Sequence, residues 1–122
     1  MIIEFLAGPI AAGTSPVARI VNLDALPADL DPVLVEGARA SRFTGKTGQL
    51  HEGFVAQGGA VVRLALAGAG DPKAKDRSAA LERAGAAITA KYLTSGVTAL
   101  TLDLSGANLK AADAAAVLLG AR

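Results

Sequence analysis

Ala60-Val61-Val62-Arg63-Leu64-Ala65-Leu66-Ala67 decides the fold. Every residue but Arg63 is apolar, so the run lacks the alternation of a strand with one wet face. A strand covered on both faces has this composition, and the run therefore predicts a central strand with helices above and below it. Downstream, Leu81, Gly85, Ile88 and Tyr92 fall on one stripe of a 3.6-residue period, with Arg77, Glu82 and Lys91 off it. That spacing predicts a long helix from about Asp76 to Ser95, with Gly96 at the position after its end. Thr98 to Leu104 then alternates, Leu100, Leu102 and Leu104 against Thr101 and Asp103, as a strand with one buried face does. Strand, long helix, strand implies a right-handed crossover between parallel strands.

Working back toward the start, Ile2 to Leu6 and Val17 to Leu23 are two further short strands, divided by glycine and proline signals. Asp31-Pro32 supplies a cap and a first helical proline for a helix running to about Arg42 through Leu34, Ala38 and Ser41. Gly45 and Gly48 mark a polar loop containing His51, and Gly53 to Gln57 forms a strand turned onto the central run at Gly58-Gly59. Gly68-Ala69-Gly70-Asp71-Pro72 is expected to be a turn into the long helix. Asn108 caps a last helix with Leu109, Ala112, Ala116 and Leu119 on its core face. Val117 and Leu118 point away from that stripe, so both are expected to be partly exposed. They would then anchor a neighbouring domain, unless both lie in this domain's own core. The whole predicts an α/β fold with three α/β/α layers, in one domain over residues 1–122.

With 122 residues, of which 52% are hydrophobic and 19% charged, the chain can bury a core without disulfide or metal staples. Twelve basic against eleven acidic residues leave no clustered basic footprint for a nucleic acid, and 3% aromatics leave little for bases to stack on. No cysteine is present, which removes thiol catalysis and thiolate metal sites and suits a reducing compartment. Glu4 interrupts the N-terminal apolar run and no membrane-length stretch follows, so a cytoplasmic protein with no membrane partner is expected.

The candidate chemical sites fail one by one. Gly45-Lys46-Thr47 resembles the end of a phosphate-binding P-loop, but the first glycine of that motif falls on Ala40, inside a predicted helix. Gly68-Ala69-Gly70 stands where a dinucleotide fingerprint would, but its third glycine position holds Lys73, and Pro72 removes an amide. His51 is the only histidine, and a Ser-His-Asp triad or a histidine metal site would have to use it. Its neighbour Glu52 points to the opposite face of an extended chain. Asp24, Asp29, Asp31, Asp71 and Asp76 are accounted for by turns and caps. Arg42, Lys46 and His51 are the remaining candidates, as a small anion patch on one loop, against the plainer reading of a solvated loop. No catalytic, cofactor-binding or metal-binding residue is assigned.

Three stretches carry a resemblance to a known family. Arg42-Phe43-Thr44-Gly45-Lys46-Thr47-Gly48-Gln49 is similar to a Phe-x-Gly-Lys-x-Gly loop. Val62-Arg63-Leu64-Ala65-Leu66-Ala67-Gly68-Ala69-Gly70 is similar to a strand that ends in Gly-x-Gly. Leu81-Glu82-Arg83-Ala84-Gly85-Ala86-Ala87, leading into Gly96-Val97-Thr98-Ala99-Leu100, is similar to a long helix and the strand after it. In this order, from about Arg42 to Leu104, they resemble the N-terminal domain of the leucine (cytosol) aminopeptidase family. One departure is Asp71, where the family often carries a basic residue.

The resemblance implies a three-layer fold with a mixed sheet similar to macro domains. It also implies a parent metallopeptidase, a hexameric exopeptidase that removes leucine and other N-terminal residues from peptides. In that family two divalent metals, zinc or manganese, lie in a C-terminal catalytic domain around an Asn-Thr-Asp-Ala-Glu-Gly-Arg motif. No such stretch occurs here, so the segment itself is not expected to be an enzyme or to hold a cofactor. Its expected partners are its own catalytic domain and its neighbours in a homo-oligomer. Two alternatives remain. A free macro-like module for ADP-ribose would need more than Gly68-Ala69-Gly70 as a phosphate loop. A regulatory domain of the anti-sigma-factor antagonist type is suggested by Leu102-Asp103-Leu104-Ser105-Gly106, but Ala114 stands where its phosphorylatable serine would follow Asp113.

Overall fold

The computed structural model describes residues 2–6, 16–26, 32–57, 60–94, 99–103, 109 and 111–121. Their order is β1 (Ile2–Leu6), β2 (Val17–Asn22), α1 (Pro32–Ala40), β3 (Leu50–Gln57), β4 (Ala60–Gly70), α2 (Arg77–Thr94), β5 (Ala99–Asp103) and α3 (Ala111–Ala121). The strands form one five-stranded mixed sheet in the order β1-β5-β2-β4-β3. β1, β5, β2 and β4 run parallel, and β3 pairs antiparallel with β4. The crossover through α2 does join two parallel strands, but it steps over β2 rather than linking neighbours.

β4 behaves as its composition requires. Val62, Leu64 and Leu66 are buried with Leu34, Ala38 and Phe43 on the face that α1 covers. Ala65, Ala67 and Ala69 are buried with Leu81, Ala84, Ile88 and Tyr92 on the face that α2 and α3 cover. From Leu64 to Gly70 both faces are dry, so that stretch does not alternate. The three-layer α/β/α expectation holds, and Leu81, Gly85, Ile88 and Tyr92 are all buried on one side of α2.

α1 ends at Ala40, slightly short of the expected Arg42, through a left-handed turn at Arg42 (φ 61°). The Phe43 N–H donates to Ala38 O and the Arg42 N–H to Arg39 O, a paired closure of the last carbonyls normally built on glycine. Phe43 then folds back onto Ala38 in the α1-side core.

Three expectations need correction. β3 begins at Leu50, not Gly53, so His51 lies in a strand rather than a polar loop. Gly68 to Gly70 continue β4 instead of turning, because Val21 and Asn22 of β2 still pair with them. On α3, Val117 is fully buried, whereas Ala112 and Leu119 are exposed and Leu118 is at the margin of exposure. The core stripe of α3 is Ala116, Val117 and Ala121, rotated by about one residue from the expected one. The cause is that α3 rests on α2 through glycine. A methyl group at Gly85 would strike the Val117 carbonyl, and one at Gly120 the Glu82 carbonyl. Thr89 Oγ1 donates to Ala121 O (2.8 Å) across the same contact. Leu109 packs against this core as expected. The expected turns and caps at Gly58-Gly59, Asp31, Gly96 and Asn108 lie outside the described residues.

Candidate functional site

The loop from Phe43 to Gln49 lies against the C-terminal ends of β2 and β4, where parallel α/β sheets commonly bind ligands. Gln49 organises it. Its Oε1 accepts from the backbone N–H groups of Thr44 (3.1 Å) and Lys46 (3.0 Å) and from Thr44 Oγ1, and its Nε2 donates to Arg42 O. The loop backbone then extends the sheet. The Gly68 N–H donates to Gln49 O (2.8 Å), the Gly70 N–H to Gly45 O (2.8 Å), and the Asp24 N–H to Thr44 O (2.7 Å).

This geometry explains both glycine signals together. A side chain at Gly68 would collide with the backbone of Gly45 and Lys46, and one at Gly70 with Thr47. Gly45 (φ 94°) lies just as close to Asn22. The glycines admit the loop, and the amides of Gly68 and Gly70 donate to loop carbonyls. Asp71 then turns the chain toward α2, accepting from the Lys73 N–H (2.8 Å). Arg77, at the start of α2, donates to Ala69 O (3.0 Å) and to Asn22 Oδ1, tying helix to strand ends. Burial lowers its pKa against the pull of Asp113 and Asp71.

His51 and Glu52 point to opposite faces, as extended geometry demands. His51 Nδ1 is 3.2 Å from Ser41 Oγ, and its ring lies 6.2 Å from that of Phe43 and against Gly37. Arg42 and Lys46 are exposed on the loop, whereas the His51 ring turns back against α1, so its contacts are to helix and loop rather than to the two cations. Asp24 adopts the left-handed conformation (φ 55°) and Asp76 is exposed; Asp29 and Asp31 lie outside the described residues. Among the described residues, no three His, Cys, Asp or Glu side chains come together as a metal site.

Sequence reading missed one cluster. Glu52 on β3, Arg63 on β4 and Tyr92 on α2 meet beneath the C-terminal half of α2. Arg63 Nη2 donates to Glu52 Oε1 (2.9 Å), and the guanidinium lies 5.2 Å from the Tyr92 ring centre. Burial pushes the Glu52 carboxyl up, but the adjoining Tyr92 hydroxyl and the Arg63 guanidinium, with the charges of Arg63 and Lys91, outweigh it and hold the group below its ordinary value. The bond to Glu52 raises the Arg63 pKa. Burial, then the adjacent carboxylate, raises that of Tyr92. The trio is an ion pair with the Tyr92 ring beside its guanidinium. The available signal was Arg63 itself, since a cation inside an apolar run needs a buried partner.

The model of the cytosol aminopeptidase family, N-terminal domain, matches residues 13–122. Comparison with curated proteins finds no match. No helix among the described residues is long and apolar enough to cross a membrane.

Proposed function

The chain belongs to the cytosol aminopeptidase family through its N-terminal domain, and from that premise we propose that it is a single non-catalytic domain serving a metal-dependent leucyl aminopeptidase. In this reading the parent removes N-terminal amino acids from peptides in the cytoplasm. Its two divalent metals, zinc or manganese, belong to the catalytic domain, and the domain described here supports assembly with that domain and with neighbouring subunits. The observation that carries the reading is the filled strand-end crevice. The place where a ligand would sit in such a sheet is occupied by the chain's own Gly-Lys-Thr-Gly loop, hydrogen-bonded through both glycine amides.

The gene tests this directly. The codons after Arg122 should continue into a frame encoding Asn-Thr-Asp-Ala-Glu-Gly-Arg, and a stop codon there would sink the reading. The purified chain, assayed on leucine p-nitroanilide with zinc or manganese, should give no metal-dependent turnover that follows the protein peak. The macro-like alternative is tested by calorimetry. ADP-ribose should not bind more tightly than about 100 μM, or roughly 5–6 kcal/mol, because Gly68 and Gly70 have no free amide to offer.

A further inference from the structure

β3 ends the sheet, and among the described residues nothing pairs with its outer side. Alternate backbone groups of an edge strand point outward, as an open template for another strand. Proteins normally blunt such an edge with lysine, proline or an unpaired inward charge. Leu50–Gln57 has neither lysine nor proline, and its one carboxylate, Glu52, is neutralised by Arg63. Among the residues whose exposure is described, this end of the sheet also carries its largest exposed apolar side chains. Phe54 is 64% exposed, and Val61, diagonal to it on β4, is 69% exposed.

We propose that the outer edge of β3 pairs antiparallel with β3 of a second copy of this chain, about a two-fold axis at Phe54. An open backbone edge accepts an extended strand, and a second copy supplies an identical one through an isologous contact. The charges select the register. With Phe54 opposite Phe54 of the copy, Glu52 faces Ala56 and Gly53 faces Val55, so the two carboxylates stay apart. Centring the axis on Glu52 would oppose like charges, which destabilises a strand pair. The Phe54 register also places both phenyl rings side by side on one face, flanked by the two Val61 side chains, as one apolar strip across the joint. The two sheets then form a single continuous one. This gives the assembly reading a surface, and its biological meaning rests on that reading.

The test uses the chain itself. Sedimentation velocity from roughly 1 μM to roughly 1 mM, the range in which small interfaces dissociate, should show a monomer–dimer equilibrium. Phe54→Lys should raise the dissociation constant by at least about tenfold, while Leu119→Lys, at the exposed apolar end of α3, should leave it unchanged. Because the chain has no cysteine, single replacements report the register without background. Phe54→Cys should oxidise to a disulfide-linked dimer, since residues opposed across strands bring their Cβ atoms to about 4.5–5.5 Å. Leu119→Cys should not. A chain monomeric throughout, a dimer unaffected by Phe54→Lys, or crosslinking no faster at Phe54→Cys than at Leu119→Cys overturns the proposal. If Phe54→Lys fails to fold, the cysteine pair alone decides. Failure here leaves the frame after Arg122 untouched, so the two readings fall separately.

Discussion

The two faces of the sheet solve the same packing problem with different materials. Under α1 the core is Val17, Val21, Leu34, Phe43, Val62, Leu64 and Leu66, side chains with volume and some freedom to repack. Under α2 and α3 it is largely alanine, with Ala18, Ala65, Ala67, Ala69, Ala84, Ala116 and Ala121, and the helices touch backbone to backbone at Gly85 and Gly120. Branched side chains can adjust to a changed neighbour at modest cost, whereas a carbonyl in contact with a glycine has nowhere to go. Helix and sheet are therefore spaced by side chains under α1, whereas on the other face the spacing between α2 and α3 is set by backbone.

The sharpest way to break this contrast is Gly120→Val. Its Cβ would overlap the Glu82 carbonyl, so we expect a loss of about 3 kcal/mol or more in urea unfolding, or no folded protein at all. A result within 1 kcal/mol, on the order of the experimental scatter, would mean the two helices can separate freely. Next in size is the ion pair, a polar inclusion on the alanine side. Glu52→Gln should cost about 1.5–3 kcal/mol at neutral pH. Because the folded pKa of Glu52 lies below its ordinary 4.5, its contribution is present above that value and lost as pH falls through the folded one. The variant should lose that part of the acid dependence, and an unchanged slope below pH 4.5 would exclude the role.

Smaller effects belong to the α1 side. Leu64→Met conserves volume in a repackable layer, and thermal unfolding should register less than about 1.5 kcal/mol. Arg42→Gly should act in the opposite direction, raising stability by about 0.5–1 kcal/mol, because a left-handed residue closes α1 (φ 61°) where glycine carries no steric penalty. Destabilisation by Arg42→Gly would show that the exposed guanidinium holds the loop by a contact worth more than that strain.

How far the sequence could be read depended on how unevenly its apolar residues were spread. β4 announced burial on both faces by its unbroken run, and the α2 stripe was legible because charged residues framed it. On α3 the signal failed: Ala111 to Ala121 carries one charged residue, Asp113, so almost any face would serve as the core face. The Gly-Lys-Thr-Gly and Gly-x-Gly signals were each legible as glycine-rich stretches, but nothing local showed that one is the partner of the other. Glu52, Arg63 and Tyr92 were each visible and went unconnected for the same reason.

The sequence by itself determined the layer architecture, most element positions and the family resemblance, because hydrophobic period and glycine punctuation act over a few residues. Only the tertiary structure decided which face of α3 is buried, what occupies the strand-end crevice, and which partner stabilises Arg63 in an apolar strand. Each of those depends on backbone groups brought together from distant parts of the chain, where contact is set by closure of the sheet and helices rather than by any local period.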